Sequence, residues 1–408
     1  MTAERRAVNT AILVAALGYF VDIYDLILFS VVRIPSLISI GVAEADRLAV
    51  GVRLINFQMS GMLIGGILWG ILGDRRGRLS VLFGSIVLYS LANLANAAVH
   101  TVGAYEILRF IAGVGLAGEL GAGVTLVSEL MSKESRGYGT TIVASIGIFG
   151  AVAAEVVSES FDWRVAYVVG GVLGLLLLIL RVSVRESPMF IALRKGPAAR
   201  GNFFALFATR QRAIRYLAVI LVAVPIWYVV GVLVTFSPEF ARAMGMTDIP
   251  KAGRAILWLY SGLVFGDVAS GLYSQVARSR RKAIVVFLCL TVVMCMVYFN
   301  FTRFAQSAVA FYALCSAMGF AIGYWAVFIT MAAEQFGTNL RATATTTAPN
   351  FVRGAVVPMT SAFQILAKGS LGVIGAGIAV GVGVIALAVV SLVGLRETFG
   401  KDLDYIEE

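Results

Sequence analysis

Residues 48–98 read LAVGVRLINFQMSGMLIGGILWGILGDRRGRLSVLFGSIVLYSLANLANAA. Two apolar runs, residues 48–72 and 79–98, flank the hexapeptide Gly73-Asp74-Arg75-Arg76-Gly77-Arg78, in which four of six residues are charged. A helix of about 20 apolar residues matches the thickness of a bilayer's hydrocarbon core. Backbone amides cannot find partners in lipid, so each run has to bond within itself. The stretch therefore reads as two spanning helices joined by a short charged turn.

The rest of the chain has the same character. Hydrophobic residues make up 59% of its 408 residues and charged residues 14%, with a mean hydropathy of +0.89. A water-soluble domain carries about a quarter charged residues. Twelve stretches are long enough to span, at residues 7–32, 48–72, 79–98, 105–128, 139–157, 163–182, 214–236, 255–276, 283–301, 308–331, 343–366 and 371–395. The expected fold class is an all-α polytopic membrane protein. The charged start runs directly into an apolar stretch already holding Asp22 and Asp25, which reads as a first span and not a cleavable leader. Cys289, Cys295 and Cys315 lie in apolar runs without CxxC spacing and read as buried structural thiols. His100 is the sole histidine, so a proton relay has to use carboxylates.

The net charge of +10 sorts by membrane side. With the N-terminus inside, twenty-two of the 33 lysines and arginines fall on the cytoplasmic side and nine on the other, as the positive-inside rule requires. Seven short segments share the cytoplasmic set, which removes nucleic acid as a partner. Ser60-Gly61, Gly65 and Gly70 recur at constant offset as Ser261-Gly262, Gly266 and Gly271, and Glu129 and Arg136 recur as Glu334 and Arg341. Duplication of a six-helix unit explains both sets, although small residues at such spacings also serve helix packing alone. The expected division is an N-terminal half at 1–184, a cytoplasmic linker at 185–212 and a C-terminal half with a short tail at 213–408.

The hexapeptide after the second span resembles the G-D-R-x-G-R loop of the major facilitator superfamily. Further similarity comes from Arg109 with Gly113, Gly115 and Gly118-Glu119, from Glu129 with Arg136-Gly137, from Arg185-Glu186-Ser187-Pro188 and from Glu397-Thr398-Phe399-Gly400-Lys401. Together they resemble the sugar-porter-like branch and its metabolite:proton symporters. In the second half Gln275 stands where the loop's aspartate is expected, followed by Arg278, Arg280, Arg281 and Lys282. The resemblance implies two pseudo-symmetric six-helix halves, with helices one, four, seven and ten lining a cavity and two, five, eight and eleven forming the interface between halves. It also implies a cytoplasmic latch, which makes Gly73, Asp74, Arg75, Gly77, Arg78, Glu129 and Arg136 gating candidates. The alternative for the arginines is that they only enforce topology.

Six ionisable residues are read as lying deep in the bilayer: Asp22, Asp25, Arg109, Glu119, Asp267 and Arg353. A charge at bilayer depth costs several kcal/mol unless paired or hydrated, so each is a candidate functional group. Glu119 is the first choice for proton coupling and Asp22 the second, with Asp25 completing the set. The alternative is that Glu119 and Asp22 are permanent partners of Arg109 or Arg353. Asp25 is expected high enough to meet water, and Asp267 is a candidate interface partner for Arg353. Arg109 and Arg353 are forks suited to a carboxylate or phosphate. Among aromatic residues Tyr19, Tyr24, Trp227, Tyr228, Tyr324 and Trp325 fall on cavity-type helices, and Arg109, Arg353, Asp267, Tyr19, Trp227 and Tyr324 make up the substrate-binding set. Pro225, Pro349 and Pro358 are candidate bending points in helices seven and eleven.

No Walker loop, HExxH, GxSxG or metal-spaced cluster is present, so neither an enzyme nor a cofactor or metal is expected. The resulting expectation is a monomeric, proton-coupled importer of a small polar metabolite, an organic acid, amino acid or other carboxylate, working by alternating access in the inner membrane with both termini cytoplasmic. An exporter or antiporter with the same residues is the first alternative, and a transporter-like nutrient sensor the second.

Overall fold

The computed structural model describes residues 3–131, 136–181, 186, 191, 202–402 and 405–407, without the side chains of residues 3–8 and 136. Most of the predicted linker and Arg185, Ser187, Pro188 and the Arg136 side chain lie outside what is described. Among the described residues there is no strand. The long helices are α1 (Ala3–Ser39), α2 (Arg47–Arg76), α3 (Arg78–Asn96), α4 (Val102–Leu130), α5 (Arg136–Ser160), α6 (Trp163–Arg181), α7 (Arg210–Val234), α8 (Ala252–Val276), α9 (Arg280–Phe299), α10 (Ala308–Gln335), α11 (Arg341–Gly354, continued as Val356–Lys368) and α12 (Gly372–Gly394). Eleven are long and apolar enough to cross a membrane. The exception is α11, whose first segment carries Thr343, Thr345, Thr346, Thr347, Asn350 and Arg353. That polarity is tolerated because these side chains are buried in protein, not lipid.

Burial sets the arrangement. The apolar core of α7 is 89% buried and that of α12 only 33%. Helices α1, α4, α7 and α10 are central, whereas α3, α6, α9 and α12 present residues such as Leu91, Ile179, Met296 and Val390 outward. Cys289, expected to be buried, is one of these outward-facing residues on α9; an apolar run alone does not separate a lipid-facing position from a core one.

The repeated glycines have a packing cause. A Cβ at Gly61 would run into the backbone of Phe110 on α4, and one at Gly262 into that of Ser316 on α10. Gly70 lies against Thr343 of α11, while Gly271 lies against Thr141 of α5. The glycine pattern thus brings α2 onto α4 and α11, and α8 onto α10 and α5, in matching fashion. These are the close approaches that small residues permit.

Two spans are broken in ways composition does not reveal, and two at the prolines named as bending points. Helix α4 is interrupted at Ala117-Gly118 and α10 between Ala321 and Trp325. The first break leaves the Ala117 carbonyl free to accept from Asn350 Nδ2 of α11 at 2.7 Å. Past Pro225, α7 widens into a π-helical turn, Val229–Val234, and α11 breaks at Ala355, between its two prolines.

Gly77, between α2 and α3, has φ of 106° and ψ of 160°, a region that only glycine enters without strain. Gly77→Ala is expected to cost about 1–3 kcal/mol. Thermal unfolding of the purified protein reads this directly, and an unchanged midpoint would mean that the turn relaxes.

Candidate functional site

At mid-height the two halves meet through a buried polar cluster. Asp22 of α1 and Arg353 of α11 are both essentially inaccessible, with Oδ2 and Nη2 3.5 Å apart. Among the described residues no closer cation faces Asp22. The Arg353 guanidinium lies 5.9 Å from the ring centroid of Trp227 and 5.6 Å from that of Trp325, and Nη2 also approaches Tyr19 Oη at 3.5 Å. Trp325 Nε1 donates to Tyr19 Oη at 2.8 Å. Tyr19, Trp227, Tyr260 and Trp325 line a remaining gap of about 20 Å³, room for about one water molecule and no more. A metabolite enters this place only when the halves part.

Asp267 of α8 does not pair with Arg353, contrary to expectation. Its Oδ1 accepts from the Ala326 amide at 3.1 Å, at the start of the second segment of α10. An anion there satisfies amides that a helix N-terminus leaves open, a demand created by the unforeseen break. Tyr324, beside that break, donates through Oη to the Val222 carbonyl at 3.1 Å. Tyr24 and Tyr228 are likewise bound to backbone carbonyls, of Ala166 and Gly377.

Glu119 is the first residue of the second segment of α4 and pairs with Arg181, the last residue of α6. The Arg181 guanidinium also donates to the Leu82 carbonyl. Neither Arg109 nor Arg353 serves Glu119. Arg181 is not among the residues singled out from sequence, although its place at the end of an apolar run was the available signal. Gly18 of α1 lies directly on the pair, where a Cβ would overlap both side chains. Asp25, expected to meet water, is fully buried against Gly170 and near Asn93 and Arg109. Arg109 bonds to Gln58 Oε1, donates to Tyr167 Oη at 3.3 Å and lies 5.0 Å from the Phe29 ring centroid. Gln58, also missed, is one of only a few polar residues in the apolar part of α2.

Both ends of the axis between the halves are closed. At the end carrying the termini, Asp74 Oδ2 accepts from the Thr343 amide at 2.9 Å and from its hydroxyl at 2.5 Å, placing an anion in the first turn of α11. Arg78 Nη2 donates to Glu129 Oε1 at 2.8 Å and Nη1 to the Gly73 carbonyl at 3.0 Å. Glu129 also faces Arg341 of α11 at 3.5 Å. Arg75 is exposed. The second half repeats the internal pair as Arg280 with Glu334, at 3.1 Å, but Gln275 meets the start of α5 at Gly137 without a charge. At the opposite end Arg33 pairs with Glu239 at 3.2 Å across the halves, and Asn56 accepts from Thr360 at 3.0 Å. Arg33 is not among the residues singled out from sequence.

Charge-assisted hydrogen bonds contribute about 1.5–3 kcal/mol. Asp74→Asn is therefore expected to favour opening at the termini end by about tenfold or more. Labelling of a cysteine introduced on the facing surface of α11, in a background with the native cysteines removed, measures this shift; equal labelling would remove Asp74 from the latch.

Residues 11–357 match the family profile of the Major Facilitator Superfamily. The chain is 25% identical over 372 residues to a putative niacin/nicotinamide transporter of Bacillus subtilis, covering 83% of this chain and 84% of the relative. It is 26% identical over 283 residues to a gentisate transporter of Corynebacterium glutamicum, covering 64% and 63%. Its fold matches that of the proton:xylose symporter XylE with a TM-score of 0.76 at 18% identity, covering 98% of each chain. The paired glycine contacts, the charged turn after α2 and this family match agree: the chain is a multi-pass membrane protein of the Major Facilitator Superfamily, a transporter and not an enzyme.

Proposed function

We propose that the protein imports a small carboxylate together with a proton, and that Asp22 and Arg353 couple the two. The loose, fully buried Asp22–Arg353 pair between the halves carries this reading. A substrate carboxylate that takes the Arg353 fork displaces Asp22 from its cation. An unpaired buried carboxylate is costly, so Asp22 then takes up a proton. Release of the substrate restores the pair and expels the proton. The indoles of Trp227 and Trp325 with Tyr19 form flat apolar walls beside the fork, which suits a small aromatic acid. Niacin and gentisate, named for the two relatives, are of that kind. Tyr324 and Asp267 shape the same region through the break in α10, Arg109 and Asp25 extend the polar file within α1 and α4, and Glu119 stands as a second carboxylate whose companion is Arg181.

In this reading Asp74, Arg78, Glu129 and Arg136 latch the cytoplasmic end, with Gly73 and Gly77 allowing the turn and Arg75 facing the headgroups. The working unit is a monomer in the inner membrane with both termini cytoplasmic, as the distribution of lysine and arginine favours. Residues 1–184 and 213–408 are the rocking halves and 185–212 the connection.

Uptake into proteoliposomes under an imposed pH gradient tests the proposal, with nicotinate, gentisate and the uncharged nicotinamide as substrates. The parent is expected to accumulate an acid but not the amide. Asp22→Asn is expected to lose gradient-driven accumulation while keeping exchange. Accumulation that survives Asp22→Asn and disappears with Glu119→Gln would move coupling to Glu119, whereas gradient-driven efflux would establish the exporter.

A further inference from the structure

At the end carrying the termini, a cavity of about 570 Å³ opens between the start of α7 and the end of α12. Arg210, Arg215, Arg396 and Lys401 line it, against one carboxylate, Glu397. That carboxylate is already committed. It accepts from the Ser279 hydroxyl and from the amides of Arg280, Thr398 and Phe399, each at 2.9 Å. Partial burial works against its ionised form, but these hydrogen bonds outweigh it and hold its pKa below the usual carboxylate range.

The cations are not equally balanced. Arg215 has Glu407 at 2.7 Å. Arg210 and Arg396 are exposed and form no ion pair among the described residues. Lys401 donates to Tyr405 Oη at 2.8 Å, and its pKa is lowered by partial burial and then by Arg215, with Arg341 adding and Glu407 opposing. The cavity thus carries more positive charge than its own carboxylates neutralise.

Its outer edge is apolar. Ile214 and Leu217 of α7 and Val390 and Val393 of α12 are all exposed, and Val393 is 77% so. Leu217 and Val390 lie about one turn deeper in the membrane than Ile214 and Gly394 at the cavity's rim. A basic recess above an apolar strip at the interface matches a phosphate headgroup with its chains below, and such recesses between helices bind anionic lipids. A soluble phosphate compound would use the recess but not the strip.

We propose that this α7–α12 recess is a binding site for an anionic phospholipid, with the phosphate held by Arg210 and Arg396 and the acyl chains on Ile214, Leu217, Val390 and Val393. Native mass spectrometry of the full chain, delipidated in detergent and titrated with phosphatidylglycerol or phosphatidylcholine, tests it. One phosphatidylglycerol per chain is expected at concentrations where phosphatidylcholine is not retained. Arg210→Gln/Arg396→Gln is expected to weaken that binding at least tenfold, with Lys251→Gln at the opposite end unchanged. The single variants provide the same comparison if the pair affects folding, which the melting temperature reports. Equal retention of both lipids, or unchanged binding in the variants, would overturn the site. Displacement of bound phosphatidylglycerol by millimolar inorganic phosphate would overturn the lipid as its occupant.

Discussion

Arg353→Gln lowers gradient-driven uptake by about a hundredfold or more, the largest functional loss expected of any single side chain here. Two costs fall together. The substrate carboxylate loses its cationic fork, and Asp22 is left buried without the partner it has at 3.5 Å. Truncating one member of a buried pair costs about 3–5 kcal/mol. Arg353→Lys keeps the charge but not the planar fork that lies beside two indoles, so it should raise KM more than it lowers kcat. Asp22→Asn/Arg353→Gln removes the orphaned charge and is expected to regain stability without regaining uptake. Initial rates in proteoliposomes and melting curves separate the two quantities. Uptake by Arg353→Gln within threefold of the parent would take Arg353 out of the site.

Arg181→Gln is expected to be the most destabilising of these substitutions, by about 3–5 kcal/mol. It strands Glu119 in the interior, under Gly18, with only the start of a helical segment to offset its charge. Glu119→Gln/Arg181→Gln should recover most of the loss, since two neutral side chains leave no buried charge. The double-mutant cycle, read by thermal or denaturant unfolding, gives the coupling. If Arg181→Gln unfolds like the parent, Glu119 is not fixed by that pair and regains its claim as the proton carrier.

The fold class was legible because lipid imposes it: apolar length gave the spans, and the repeated glycine spacing marked the second and eighth spans as equivalent members of two halves. The charged turn was legible because all its members lie in six consecutive residues. The pairing of buried charges was not. Asp22 with Arg353 and Glu119 with Arg181 join residues far apart in the chain, and pairing depends on helix rotation that periodicity in a nearly uniform apolar run does not reveal. Asp267 went to a backbone amide because α10 breaks after Ala321, and that break carries no proline to announce it. Arg181 and Arg33 were hidden by their position at the edges of spans, where a basic residue has an ordinary reason to be.

The replacement of aspartate by Gln275 has a mechanical consequence. At the termini end the two repeat interfaces are unequally fastened: α2 is tied to Thr343 of α11 through the Asp74 carboxylate, whereas among the described residues Gln275 brings no charge from α8 to α5. A transporter built this way does not part symmetrically along its midline. The α8–α5 seam is expected to yield first, with the α2–α11 edge as the doorpost, so that the first passage to that side opens off-centre, next to α5 and α8.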